Sequence, residues 1–187
     1  MKKTLRKSMI QNRMNLSKNE VNEKSDKIFL KLKENPTVNK ATNILLYMDF
    51  RNEVKTDKII NYLLENHKNV FIPKVNKASN ELDIYEIKGN DDLILSNYGI
   101  KEPNSDLLKV VNPKEIDLIL SPGVAFTKEC YRIGYGGGFY DKLLTKTNEN
   151  IITIALAFEM QIVDSLPIES HDKQLDFVQT EEKLYKK

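Results

Sequence analysis

The sequence predicts an α/β fold built on one mostly parallel sheet. A strand-length apolar run at Thr42–Met48 precedes a helical pattern from Asp57 to about Asn66 and a second apolar run at Val70–Pro73. The order recurs later, with Ile116–Leu120 as a strand, Phe139–Leu144 as a helix and Ile151–Leu156 as a further strand. Strand, helix, strand is the mark of a βαβ unit, whose strands run parallel and whose ligands gather at the carboxyl ends of the strands. The chain of 187 residues suits one domain over residues 1–187, a size that buries about 70% of the surface exposed by the unfolded chain.

Taken in order, Lys2 to about Met14 reads as a helix with Leu5, Met9 and Leu16 along one side. Lys2, Lys3, Arg6, Lys7 and Arg13 lie elsewhere, and no acid appears before Glu20. The spacings place Lys2, Arg6 and Arg13 on one helical face. Such a face is either solvated or a set of cations brought over a polyphosphate. Ser17 with Glu20 three residues later forms a capping-box pattern, and Pro36 forbids continuation of the helix that follows. Val21, Ser25, Ile28 and Leu32 form its inward stripe. Met48 to Glu53 then lies at the carboxyl end of the first strand, in the polar turn Asp49–Thr56. Leu82–Ile87 alternates as an added, antiparallel strand would, and Asn97–Asn104 reads as a loop around Gly99 and Pro103. A polar loop carrying His171, Asp172 and Asp176 leads to a short strand near Phe177-Val178.

Between the second strand–helix pair runs SPGVAFTKECYRIGYGGGFYDKLL, residues 121–144. Gly134, Gly136, Gly137 and Gly138 are four of the seven glycines in the chain. Residues without Cβ let backbone N–H groups approach a ligand closely, and a helix beginning directly afterwards favours an anion at its start. The pattern is neither a Walker A loop nor a dinucleotide fingerprint. On its own it serves equally as a tight structural turn. Arg132 before it and Asp141 after it add a cation suited to phosphate and a carboxylate suited to magnesium.

Composition narrows the classes. The net charge of +2, from 29 basic and 27 acidic residues, points to no partner by itself. The single cysteine, Cys130, rules out an internal disulfide framework and a cysteine-cluster metal site, as in a reducing cytoplasm. No apolar run approaches the ~20 residues of a membrane span, and the basic N-terminus lacks the apolar stretch of a signal peptide. The expectation is a soluble, cytoplasmic protein. A nucleic-acid binder using the basic N-terminal arm would need a wider basic footprint than this sequence carries, and an isomerase or transferase on a related fold would leave the N-terminal cations without a task.

Five segments, KKTLRKSM, YMDFRNEVKTDKII, DLILSPGVAF, RIGYGGGFYDKLL and ALAFEMQIVDSLPIESHD, together resemble the 5-formyltetrahydrofolate cyclo-ligase family, also called methenyltetrahydrofolate synthetases. They span nearly the whole chain in order, and RIGYGGGFYD is the most specific of them. The resemblance implies a single-domain, three-layer αβα, Rossmann-like arrangement related to the sugar-isomerase and coenzyme-A-transferase fold. It also implies use of ATP and Mg2+ to convert 5-formyltetrahydrofolate into 5,10-methenyltetrahydrofolate, with release of ADP and phosphate. Carried onto this chain, it has Lys2, Lys3, Thr4, Leu5 and above all Arg6 contact the ATP phosphates. Arg132, Ile133, Gly134, Tyr135, Gly136, Gly137, Gly138, Phe139 and Tyr140 complete the nucleotide loop, with Arg6, Arg132 and Tyr140 acting in catalysis. Asp141 and Asp172 match magnesium-binding aspartates. Met48 and Glu53 match folate-holding positions, and Tyr135 to Phe139 line the boundary between the two substrates. Phe139 stands where the family often has tyrosine, and Lys55 stands where an acid is common. The partners implied are small molecules, with neither nucleic acid nor membrane, acting on a monomer.

Overall fold

Two helices open the chain for local reasons. In the computed structural model, which describes residues 2–96, 99–169 and 172–187, helix α1 spans Lys2–Met14 and helix α2 spans Lys18–Glu34. Ser17 caps α2 with both halves of the expected box, its Oγ accepting from the Glu20 N–H at 3.2 Å while Glu20 Oε2 accepts from the Ser17 N–H at 2.8 Å. The buried residues of α2 are Val21, Ser25, Ile28 and Leu32, the stripe read from periodicity. Pro36 ends α2 and starts the short helix α3 (Pro36–Lys40), whose cap Asn35 accepts from the Thr37 N–H at 2.9 Å.

From there strands and helices alternate: β1 (Asn43–Leu46), α4 (Asp57–Glu65), β2 (Asn69–Asn76) and β3 (Glu81–Ile87). A small antiparallel ribbon of β4 (Leu93–Leu95) and β5 (Lys101–Pro103) follows, then β6 (Val110–Val111) and β7 (Leu118–Ser121). β5 thus occupies part of the stretch expected to be loop; Asn97 of that stretch, like His171, lies outside the described residues. β8 (Ala125–Phe126) and β9 (Arg132–Ile133) form a two-stranded hairpin where only loop was expected. Helix α5 (Phe139–Leu144), β10 (Ile152–Leu156), β11 (Phe177–Gln179) and β12 (Leu184–Lys186) complete the chain.

Eight strands form one sheet in the order β12-β11-β10-β7-β1-β2-β3-β6. The five strands from β11 to β2 run parallel, and β12, β3 and β6 add antiparallel edges. The fold is therefore α/β with a mostly parallel sheet, as the sequence predicts. Pro73 lacks an N–H, but the registered β1 pairs stop at Leu45–Phe71, so it interrupts nothing there.

Alternation along the strands separates two cores. Ile44, Leu46, Val70, Ile72, Leu118 and Leu120 pack against α2, α3 and α4, while Leu45, Phe71, Ile84 and Ile119 face the other way toward Leu143 of α5. Full burial of each such aliphatic chain contributes about 1.5–3 kcal/mol. The two layers over the sheet are unequal, three helices on one face and mainly the six-residue α5 with loops on the other. Among the described residues no helix is long and apolar enough to cross a membrane.

Candidate active site

The strand order fixes where a ligand site belongs. From β1 the chain moves to β2 on one side, and later returns through β7 on the other. β1 and β7 are parallel neighbours, with Leu46 opposite Leu120, so the loops leaving their carboxyl ends diverge over a crevice. Those two loops are the Met48–Glu53 turn and the stretch that ends in the glycines. Arg51 and Asn52 both take left-handed backbone conformations, φ 49° and 56°. This uncommon pair folds the turn back so that Glu53 is buried at 6% exposure.

The glycine loop separates two cavities. The first, of about 330 Å³, is lined by Lys2, Arg6, Arg132, Ile133, Gly134, Gly136, Gly138, Asp141, Glu169 and Asp172. Arg6 donates from Nε to the Gly134 carbonyl at 2.8 Å. Gly138 holds φ 65° at the start of α5, a left-handed position that glycine adopts without a Cβ penalty. Lys2 Nζ donates to Asp172 Oδ2 at 2.7 Å and lies 3.3 Å from Glu169. Burial works against its charge, yet the two carboxylates together hold the ammonium above the usual lysine range. Arg132 Nη2 donates to Asp141 Oδ1 at 3.1 Å, while its Nη1 is buried without a hydrogen-bond partner. A buried guanidinium N–H in that state is costly unless an acceptor arrives.

The second cavity, of about 390 Å³, lies across the loop and includes Tyr47, Met48, Phe50, Glu53, Tyr135, Phe139 and Tyr140 in its lining. Arg51, Lys74, Lys101 and Glu102 complete the lining, while its inner wall is aromatic and its buried charge is Glu53. Oε1 of that carboxylate accepts from the Tyr135 hydroxyl at 2.6 Å, and Oε2 accepts from the Phe50 N–H at 3.0 Å. Burial raises the Glu53 carboxyl above its ordinary value, and the bond from Tyr135 and the charge of Arg13 offset part of that rise. Tyr140 contributes its ring to the wall, while its hydroxyl is buried without a partner and burial pushes it well up. The Arg132 guanidinium sits 5.3 Å from the Tyr140 ring centroid, so these two residues form the partition between the cavities.

Most of the residues singled out in the sequence converge here, with some redistribution. Lys2 and Arg6 reach the first cavity from α1, but Arg13 does not join them. It is 1% exposed, and its donors go to carbonyls and to the Tyr135 hydroxyl. The shared face is real, yet its far end runs under the second cavity. Lys3 and Thr4 are exposed, and Thr4 and Leu5 line a separate depression with Ser165, Leu166 and Pro167. Tyr135, Phe139 and Tyr140 face the second cavity, and Gly137 lines neither. α5 is only six residues long, so the loop's own amides outweigh any helix dipole. Sequence reasoning missed Glu169, three residues before Asp172, and the buried role of Arg13. The Cys130 thiol is pushed up to about 11 by burial, the reverse of what a nucleophilic cysteine needs. Among the described residues no three His, Cys, Asp or Glu side chains are grouped to hold a metal by themselves.

Known proteins resemble this chain in sequence and fold. A sequence model of the 5-formyltetrahydrofolate cyclo-ligase family matches residues 1–181. A 5-formyltetrahydrofolate cyclo-ligase of Haemophilus influenzae is 35% identical over 137 residues, covering 72% of this chain and 73% of that protein. A probable 5-formyltetrahydrofolate cyclo-ligase of Schizosaccharomyces pombe is 30% identical over 165 residues, covering 81% and 80%. Among solved structures, the 5,10-methenyltetrahydrofolate synthetase of Aquifex aeolicus superposes with a TM-score of 0.87 at 32% identity, over 99% of this chain and 92% of that one. With a family model matched over residues 1–181 and relatives this similar in sequence and fold, the chain belongs to the 5-formyltetrahydrofolate cyclo-ligase family.

Proposed function

We propose that this chain converts 5-formyltetrahydrofolate to 5,10-methenyltetrahydrofolate at the expense of ATP, with the nucleotide phosphates in the first cavity and the pterin in the second. The observation that carries this reading is the shared wall. A cavity in which Lys2, Arg6 and Arg132 face Asp141, Glu169 and Asp172, with one Arg132 nitrogen unpartnered, and an aromatic cavity with a buried carboxylate meet across one glycine loop, an arrangement that suits a phosphoryl donor and its acceptor held side by side.

ATP is a consumed substrate in this scheme. The formamide oxygen is a poor nucleophile and the formyl carbon a poor electrophile, and phosphorylation of the oxygen answers both. The oxygen takes the γ-phosphoryl group, ADP leaves, folate N10 closes on the formyl carbon with loss of its proton, and phosphate departs. Enzymes of this kind align groups and stabilise charge more than they do covalent chemistry. Lys2, Arg6 and Arg132 supply fixed positive charge, and the amides of Gly134 to Gly138 supply donors close to the phosphates. Glu53 accepts from the amino and ring N–H groups of the pterin, with Met48, Tyr135 and Phe139 against its faces.

Magnesium fits the donor set. Asp141 and Asp172 are hard oxygen ligands on the lining of the cavity with the unsatisfied Arg132 N–H, and the ion keeps several waters and phosphate oxygens rather than a full protein cage. When bound it neutralises charge on the triphosphate. Both cavities are lined from one chain, so a monomer suffices. The test is an absorbance assay for methenyltetrahydrofolate. Product should require both ATP and magnesium, and product formed equally without ATP would overturn the reading.

A further inference from the structure

Arg13 lies at the end of α1 remote from Lys2, and its surroundings differ from those of the other helix cations. Its side chain is 1% exposed, and a guanidinium keeps its charge when buried. Nε donates to the Arg51 carbonyl at 3.0 Å, Nη1 to the Gly123 carbonyl at 3.1 Å and Nη2 to the Tyr135 hydroxyl oxygen. Because that oxygen accepts from Arg13, its one proton is directed to Glu53, 2.6 Å away. Arg13 Nη2 is itself 3.9 Å from the same carboxylate oxygen. The chain of bonds therefore runs in one sense, from buried cation through phenol to buried carboxylate. Asn52 closes the contact from behind, its amide donating to the Leu16 carbonyl just beyond α1 at 3.0 Å.

We propose that Arg13 is a positioning residue of the folate pocket, holding the Glu53 carboxylate ionised and the Tyr135 side chain in place without touching substrate. The inference rests on the assignment of the second cavity to folate. Besides Arg13 and Tyr135, Glu53 faces Asp49 of its own turn, Tyr47 after β1 and Tyr140 of α5. Asp49 opposes its ionisation, and both tyrosines are held neutral by burial. Arg13 is the cation that counters burial there.

The test measures the affinity of full-length protein for 5-formyltetrahydrofolate without ATP across the acid and neutral range, with KM for each substrate alongside. Arg13→Met should weaken folate binding at neutral pH by about tenfold to a hundredfold, move the acid limb of binding to higher pH and leave KM for ATP unchanged. Arg13→Lys should return the limb toward its normal position by restoring the charge. Tyr135→Phe cuts the same chain while keeping the cation, and it should raise the limb even if Arg13→Met fails to fold. An acid limb unmoved in Tyr135→Phe or in folded Arg13→Met, or a KM for ATP rising in step with that for folate, would overturn the role of Arg13. Wild-type folate affinity in Glu53→Gln would instead remove the pocket assignment on which it rests.

Discussion

The two cavities beside the glycine loop use charge in opposite ways. In the first, Lys2, Arg6 and Asp172 are partly exposed, paired with one another or with backbone, and able to exchange those partners for an incoming phosphate or ion. In the second, one carboxylate is buried among aromatic rings and held by a fixed set of bonds. A surface ion pair is worth little and is easily exchanged, whereas a buried one is costly to break. On the proposed assignment, the first cavity would stabilise charge that moves during reaction and the second would recognise a fixed pattern of donors.

That contrast is open to attack at several residues. Asp141→Asn or Arg6→Ala should lower turnover by about two to three orders of magnitude, as loss of one preorganised electrostatic group does, with the fold intact; near-normal turnover in both would erase the role of the first cavity. Glu53→Gln should act on binding, weakening folate by about tenfold to a hundredfold while KM for ATP stays put. A third measurement varies pH alone. Because burial raises the Glu53 carboxyl above its ordinary 4.5, the ionised form is lost as pH falls through that raised value. A titration of folate affinity should then show an acid midpoint above that of an exposed glutamate, and a midpoint at or below it would contradict the buried carboxylate. The smallest effect is expected at Lys3, exposed and outside the cavity lining. Lys3→Ala should change KM for ATP by less than about twofold, the scale of an exposed charge.

Legibility in the sequence follows the range of the interactions. The capping box of Ser17 and Glu20 and the stripe Val21, Ser25, Ile28 and Leu32 depend on neighbours within a few turns, and both appear as read. So does the placement of the glycines between a strand and a helix. The ribbon of β4 and β5 and the hairpin of β8 and β9 are only two or three residues per strand, too short for any period to register. Arg13 is the more instructive case. Helical spacing correctly put it in line with Lys2 and Arg6, but its burial depends on acceptors at Arg51, Gly123 and Tyr135, which lie 38, 110 and 122 residues away. Nothing near Arg13 in the chain distinguishes it from a solvated cation. Glu53 was equally ordinary without the family resemblance, because its burial is made by the turn's left-handed backbone and by a tyrosine from another loop.

The bond between Lys2 and Asp172 joins residues 170 positions apart, and that separation sets an order of events during synthesis. The ribosome makes α1 well before Asp172, the partner of its leading lysine. Chains emerge at about 5–20 residues per second, so α1 waits on the order of ten seconds or more before the first cavity can close. Until then its basic face has no carboxylate from the late loop to meet, and a nascent chain stalled before Asp172 carries the glycine loop without a finished site.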